Sequence, residues 1–376
     1  MERSILCVDI GTSSLKVASI RVDGYQLAFA REYYPIASQA VEWEKAFFRI
    51  LKKLSLPTPY AVCISSNGPT LVPVDKSGLS LKPLYWYDNH LISTRTSSLF
   101  LPYVAHMLHN QPEAYKNVHF FISAQEWLAW RLGAEAVTVL PTSAYRTSYW
   151  DEEQCNYYGI DIKKFPHFVP MGAIIGLWSG IPIIAGVPDF VAALIGTGTI
   201  EPGIVCDRAG SSEGINLCIS DPVHIPALRL LPSPIEGLWN LSGIIPESGI
   251  LFDRYRFDTQ QQDQSYEETL QNILNNKNEH AQQGKVILEK MMQNVRDILD
   301  IFKKHGFFIH EMRISGGQGK SHIWNTIRSK SIGCTLIIPD ICDGELAGNA
   351  VIAATRLGIY SNIEEAVQAI VHYKFR

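Results

Sequence analysis

Alternation of apolar and polar positions dominates the first third of the chain. Ser4 to Ile10 is a continuous apolar, β-prone run, Leu15 to Val22 alternates after Gly-Thr-Ser-Ser, and Asp23-Gly24 marks a tight turn into Tyr25 to Tyr34. This predicts a three-strand meander. Val41, Phe47, Phe48, Leu51 and Leu54 then recur at helical spacing and predict a helix over Val41 to Leu54. Tyr60 to Ser65, Leu71 to Val74 and Leu84 to Tyr87 read as short strands, and Ser123 to Leu132 as a helix. A meander followed by alternating helices and strands indicates an α/β layered domain.

The second half partly repeats the first, because Gly210-Ser211-Ser212 echoes Gly11-Thr12-Ser13, again between apolar runs. The clearest helix is Val286 to His305, where Leu288, Met291, Met292, Val295, Ile298, Leu299 and Phe302 share one stripe and Lys303-Lys304-His305-Gly306 makes a good end. Arg313 to Ser315 reads as a strand entering Gly316-Gly317, followed by a helix from Ser321, a strand Thr335 to Ile338 and a small-residue helix Ala347 to Leu357. The last helix opens at Ser361, with Glu364 completing a capping box. Thr259 to Gly284, rich in Gln, Asn and Glu, reads as a solvated linker or surface helix.

Composition narrows the class. The chain has 376 residues, 46% hydrophobic and 19% charged, which excludes wholesale disorder and is enough for two domains. Lys and Arg number 33 against 37 Asp and Glu, so no basic excess is present to meet a nucleic-acid backbone. The seven cysteines form no CxxC pair and read as reduced and mostly buried, which predicts a cytoplasmic chain. Apolar Ile5 to Ile10 is too short for a signal peptide. Met171 to Gly196 is long and apolar but contains Pro182, Pro188 and Asp189, which fits buried strands and a core helix better than a membrane span.

Four stretches can carry chemistry. In Asp9-Ile10-Gly11-Thr12-Ser13-Ser14, a glycine turn brings backbone N–H groups and the hydroxyls of Thr12, Ser13 and Ser14 toward a phosphate, and Asp9 is suited to a divalent cation. An ordinary polar turn is the plain alternative. Gly210-Ser211-Ser212 is a second such turn, and two facing hairpins can grip a nucleoside triphosphate. In Ser315-Gly316-Gly317-Gln318-Gly319-Lys320-Ser321, a strand runs through glycines into a helix, which lets a base or ribose lie against the backbone. In Gly186-Val187-Pro188-Asp189-Phe190, the carboxylate at the mouth of an apolar helix is either a helix cap or a general base.

In order and context, these stretches resemble the FGGY carbohydrate kinases. VDIGTSSLKVASI resembles the first phosphate motif of that family, LKPLYWYDNH its Trp-x-Asp-x-Arg segment and AGVPDFVAALIGTGTIEPG the stretch with the catalytic aspartate. CDRAGSSEGINLC resembles the second phosphate motif, and ISGGQGKSHIWNTIRSKSIGCTLIIPD the adenosine motif. The resemblance implies two actin-like (ribonuclease H-like) α/β domains flanking a cleft, here 1–198 for the sugar and a shortened 199–376 for the nucleotide. It implies Mg²⁺ and ATP as cofactors, with Asp189 as base and Asp9 at the metal. Gly11, Thr12, Ser13, Ser14, Gly210 and Ser211 would lie around the phosphates, and Gly316, Gly317 and Ser321 around the nucleoside. Asn67, Thr70, Trp86, Asp88 and Phe190 are expected around a small-molecule sugar or polyol. A homodimer is compatible with the sequence, and no nucleic-acid or membrane partner is expected.

The departures from the family pattern are specific. Gly68-Pro69 stands where xylulose- and glycerol-specific pairs would stand, His90 replaces the Arg of Trp-x-Asp-x-Arg, and Glu213 follows the second turn where a small residue is usual. A carboxylate there either turns away from the phosphates or suppresses nucleotide binding. The second outcome would make the chain a catalytically inactive sugar- or nucleotide-binding sensor, the alternative to a kinase. A structural actin-like ATPase, the third reading, would not need Asp189.

Overall fold

The computed structural model describes residues 3–54, 56–88, 96–210 and 212–375, so Ser211 and His90 lie outside the described residues. The chain packs as two compact units, Met1–Gly196 with Glu345–Ile370, and Thr197–Gly344 with Val371–Arg376.

The first unit opens with the expected meander, β1 (Ser4–Ile10), β2 (Ser14–Arg21) and β3 (Gln26–Tyr33), followed by α1 (Ala40–Lys53) and β4 (Ala61–Ser66), which runs parallel to β1. There follow β5 (Leu71–Asp75), α2 (Leu101–Asn110), α3 (Pro112–Asn117), β6 (Val118–Ser123), α4 (Ala124–Arg131), β7 (Thr138–Leu140), α5 (Glu152–Tyr158), β8 (Phe168–Pro170), β9 (Ile174–Trp178), β10 (Ile181–Ile184) and α6 (Asp189–Gly196). Among the described residues the main sheet has the order β3-β2-β1-β4-β10-β9, while β5 pairs with β6 and β7 with β8. β1 and β4 are buried along their whole length, which is why they read as continuous apolar runs rather than alternating ones. α1 buries Trp43, Ala46, Phe47 and Ile50, its spacing of three and four setting one face on the core.

The second unit repeats the scheme. It contains β11 (Ile204–Ala209), β12 (Glu213–Ile219), β13 (Arg229–Pro232), β14 (Trp239–Ile245), α7 (Ser248–Asp258), α8 (Tyr266–Asn275), α9 (Glu279–Lys304), β15 (Glu311–Ser315), α10 (His322–Ser331) and β16 (Thr335–Pro339). After α11 (Gly344–Arg356) and α12 (Ile363–Ile370) comes β17 (Tyr373–Phe375), which closes the order β13-β14-β12-β11-β15-β16-β17. The hairpin β11-β12 beside parallel β15 matches the hairpin β1-β2 beside parallel β4. The echo between the two Gly-Ser turns is therefore a repeat of topology. Leu288, Met291, Met292, Val295, Leu299 and Phe302 of α9 enter this unit's core as their stripe requires.

Several expectations are corrected. A division at residue 198 assigns α11 and α12 to the second half, but residues 345–370 pack with the first unit. Gly348 lies so close to the Ala192 carbonyl of α6 that no side chain fits there. The buried Asn349 donates to the Val8 carbonyl at 2.9 Å and to Ser65 Oγ at 3.0 Å. Leu84 to Tyr87 is no strand: Leu84 forms a single bridge to Leu71, and a turn follows in which Asp88 N donates to the Tyr85 carbonyl. α9 begins at Glu279, its first turn capped by Asn278, so the polar segment holds the start of that helix together with α8, which buries Thr269, Leu270 and Ile273. α12 is capped one residue later than expected: Asn362 Oδ1 accepts from Glu365 N, and the Glu365 carboxylate accepts from Ser361 N. Residues 171–196 resolve into β9, β10 and α6, and no helix among the described residues is long and apolar enough to cross a membrane. All seven cysteines are free thiols, five of them buried.

Candidate active site

In the first unit, the ends of β1 and β4 and the start of α6 converge. The β1-β2 turn is closed by Gly11 N donating to the Ser14 carbonyl at 2.9 Å. Tyr34 braces it, its N–H on the Ser13 carbonyl and its hydroxyl on the Gly11 carbonyl at 2.6 Å. Thr12 is half-buried, Ser13 exposed and Ser14 buried. Asp9 is 2% exposed. Its Oδ1 accepts from Ser65 Oγ at 2.9 Å, and its Oδ2 lies 3.4 Å from Lys16 Nζ, which also reaches Glu345 at 3.7 Å. Burial pushes the Asp9 carboxyl up to about 7, Lys16 and the Ser65 hydroxyl pulling against the rise and the charges of Glu345 and Asp189 adding to it. Asp189 therefore belongs to the same electrostatic cluster as Asp9.

Asp189 opens α6 and is half-buried. Its position follows from the residues before it. Gly186 runs against the Ile64 carbonyl of β4 with no room for a Cβ, and Pro188 bridges to Ser66. The helix mouth is thereby fixed beside the end of β4. A half-buried carboxylate there can accept a proton from an alcohol. Among the described residues no three His, Cys, Asp or Glu side chains form a metal cage. Mg²⁺ can be held by one or two carboxylates together with substrate phosphates, and Asp9 is the buried carboxylate at the first turn.

The five residues expected around a sugar behave differently from one another. Asn67 and Thr70 are buried and bonded together, Thr70 Oγ1 donating to Asn67 Oδ1 at 2.7 Å while Asn67 Nδ2 donates to the Ile10 carbonyl at 2.9 Å. They shape the loop after β4 with polar atoms already engaged. Trp86 is 38% exposed, its carbonyl held by the Tyr103 hydroxyl, and Asp88 Oδ2 accepts from Tyr85 N. Phe190 is half-buried with its ring 6.4 Å from that of Tyr145, whose buried hydroxyl has no hydrogen-bond partner among the described residues.

In the second unit, Gly210 is exposed at the tip of β11-β12, with its N–H on the Ser212 carbonyl. Gly316 follows β15 at φ +98°, and a Cβ there would collide with the Ala209 carbonyl. Only glycine satisfies both constraints, so the two turns lie against each other. Gly317 is exposed with nothing near its Cβ position. Ser321 caps α10, accepting from Trp324 N at 3.2 Å, and its hydroxyl donates to Glu267 of α8. That serine is thus a helix cap tied to α8 in addition to its place beside the glycine turn.

Sequence reasoning missed Lys16, Ser65, Glu345, Asn349 and Arg328. Lys16 had a local signal: in a hairpin closing at Ile10 and Leu15, the residue opposite Asp9 is Lys16. The others are brought in by tertiary packing.

No family model matches the chain. Glycerol kinase 1 of Saccharolobus solfataricus is 26% identical over 83 residues, 22% of this chain, and the match spans 17% of that relative's length. Solved structures align along nearly the whole chain. Ligand-bound xylulose kinase from Lactobacillus acidophilus has a TM-score of 0.83 at 17% identity, covering 99% of this chain and 93% of that one. Gluconate kinase from Lactobacillus acidophilus has a TM-score of 0.84 at 16% identity, covering 100% and 93%. Plasmodium falciparum glycerol kinase with ADP has a TM-score of 0.81 at 15% identity, covering 98% and 92%. The chain has the sugar-kinase fold. The likeness to FGGY carbohydrate kinases carried by its motifs holds at the level of fold, and both units of that actin-like α/β architecture are present. Identities this low carry the fold and not the reaction.

Proposed function

We propose that the protein is an ATP-dependent kinase that phosphorylates a hydroxyl of a small sugar or polyol. The observation that carries this reading is the whole-chain likeness to xylulose, gluconate and glycerol kinases. The Asp9–Lys16 turn and Asp189 in one electrostatic cluster support it.

In this reading Asp189 accepts the proton of the acceptor hydroxyl. The hydroxyl oxygen forms a bond to the γ-phosphorus of ATP as the bond to the β–γ bridging oxygen breaks, giving ADP and a sugar or polyol phosphate. Asp9 would hold Mg²⁺, which when bound would supply positive charge against the phosphates, and Lys16 beside Asp9 would add to that charge. The Gly11–Ser14 turn would meet phosphate charge with the hydroxyls of Thr12 and Ser13, and within the second unit the turns at Gly210 and Gly316-Gly317 would let a nucleotide approach the backbone.

Glu213 opposing the nucleotide is one ground of the sensor alternative, beside Phe190 and the shortened second half of the chain. The Glu213 carboxylate instead bonds to Arg328 and Ser248 inside the second unit. Purified protein with ATP, Mg²⁺ and a panel of sugars and polyols tests the reading. ADP release that depends on one class of acceptor is expected; binding without turnover, or turnover indifferent to acceptor, overturns it.

A further inference from the structure

The second unit contains a charge cluster that the proposed reaction does not use. Arg328 on α10, Asp207 on β11 and Glu213 at the start of β12 are each essentially inaccessible to solvent. Arg328 Nε lies 2.8 Å from Asp207 Oδ2, and Nη2 donates to Glu213 Oε1. The same Nη2 donates to Gln318 Oε1 at 3.1 Å, and Ser248 Oγ secures the other oxygen of Glu213. Burial and the neighbouring Glu213 push the Asp207 carboxyl well above its usual range, with the Arg328 guanidinium pulling against the rise. A buried ion cluster is weak support for stability, because desolvation offsets the attraction. Its value has to be sought in geometry.

That geometry is specific. Glu213 is the residue that ends the second Gly-Ser turn, and Gln318 lies inside the Gly316–Lys320 turn. One guanidinium therefore bonds to the residue that ends one turn and to a residue of the other. Gly316 is also pressed against Ala209, the residue before Gly210. The Gly316–Lys320 turn is further pinned where Asn325 donates to the Gly319 carbonyl at 2.7 Å and Gly316 N donates to the Cys342 carbonyl at 2.7 Å. The rigid guanidinium keeps Nε, beside Asp207, at a fixed separation from Nη2, which holds Glu213 and Gln318, whereas the rotatable donors of a single lysine ammonium fix no such spacing.

We propose that Arg328 is a positioning residue for nucleotide binding: through Glu213, Asp207 and Gln318 it locks the Gly210–Ser212 turn to the Gly316–Lys320 turn, so that the two present their backbone to one nucleotide. The inference rests on reading these turns as the nucleotide site. Arg328 itself touches no reacting atom.

The test uses a variant neutral throughout, Asp207→Asn/Glu213→Gln/Arg328→Met, which leaves no buried charge unpaired, with Arg328→Lys beside it. ATP binding is measured without acceptor, KM for ATP and for acceptor separately, and amide hydrogen exchange by segment. Expected for the neutral variant is a loss of ATP affinity of about tenfold or more, an effect of ordinary coupling size, with acceptor KM within about twofold. Exchange rises in 209–214 and 316–321 but not along β15 and β16. Arg328→Lys, with its charge kept and its fork lost, shows the same split and serves if the neutral variant fails to fold. Unchanged ATP affinity, equal losses for ATP and acceptor, or a rise in exchange spread over the whole unit overturns the proposal. Failure of the wild-type chain to bind ATP at all overturns both the kinase reading and this one, whereas failure confined to the variants overturns only this one.

Discussion

Lys16 lies directly opposite Asp9 across the first hairpin, with Nζ 3.4 Å from the Asp9 carboxylate. The strand register sets the pairing: once the turn closes at Ile10 and Leu15, the two residues are forced to face each other. On the proposed reading, this cation and carboxylate would meet the anionic nucleotide and its metal. Asp9→Ala is expected to abolish the strengthening of ATP binding by Mg²⁺, and Lys16→Met to weaken ATP binding with or without the metal. Titrations of nucleotide with and without Mg²⁺ separate the two effects. Equal metal dependence in wild type and Asp9→Ala would show that Asp9 only shapes the turn.

Asp189 stands at a helix mouth fixed by Gly186 and Pro188, and its half-burial suits proton acceptance. Asp189→Asn is expected to lower kcat on the order of 10²–10⁴-fold, with KM for ATP and acceptor changing far less. Steady-state kinetics on the folded variant checks this; near-normal turnover would leave Asp189 as a helix cap.

Glu126 gives a pH signature independent of activity. It is buried, with its two oxygens accepting from Ser123 N at 2.8 Å and Val139 N at 2.7 Å. Burial raises its carboxyl from 4.5 to about 7, the hydrogen bonds opposing the shift. A raised folded-state value means that folding favours the protonated form. The stability it contributes is fully present below 4.5 and is lost as pH rises through 7. Wild type should lose stability across that window and then level off. Glu126→Gln, with nothing to titrate there, should omit this fall, so that wild type loses stability relative to the variant between pH 4.5 and about 7. Denaturant unfolding at several pH values reads it, and parallel curves would refute the assignment.

Gly316 combines a positive φ with contact against the Ala209 carbonyl. Gly316→Ala is expected to cost about 1–3 kcal/mol from backbone conformation alone, with the collision added. ATP binding should fall more than acceptor binding. Gly317→Ala, with open space at its Cβ position, should be mild by comparison. Thermal unfolding with ATP titration distinguishes the pair.

What the sequence made legible was local. The meander, α1, α10 with its Ser321 cap and the stripe of α9 follow from spacing and turn chemistry within a few residues. The two Gly-Ser turns could be matched because each hairpin is contiguous. Leu84 to Tyr87 is apolar enough for a strand, but its neighbours form an Asp88 turn that the pattern does not reveal. The polar start of α9 was hidden because Asn278, not an apolar stripe, initiates it. Asn349 meets Val8 across 341 residues and Arg328 meets Glu213 across 115. No periodicity encodes such meetings, so α11 looked as though it belonged with its sequence neighbours. Glu213 could be flagged as out of place, yet the residue that explains it could not be found.

That residue gives the last prediction. Glu213→Gln alone leaves Arg328 with one carboxylate partner, Asp207, and Arg328→Met alone leaves Glu213 and Asp207 buried without their cation. Stripping a buried ion of its partner costs about 3–5 kcal/mol, whereas replacing the whole group by neutral residues of similar volume is often neutral or stabilising. Arg328→Met should therefore destabilise more than Glu213→Gln, which keeps an acceptor for the arginine and for Ser248. Adding Glu213→Gln and Asp207→Asn to Arg328→Met should recover stability rather than subtract further. Unfolding free energies around this cycle measure the coupling directly. Additive losses would mean that the three side chains do not act as a unit, and would remove the physical basis for treating Arg328 as the tie between the two turns.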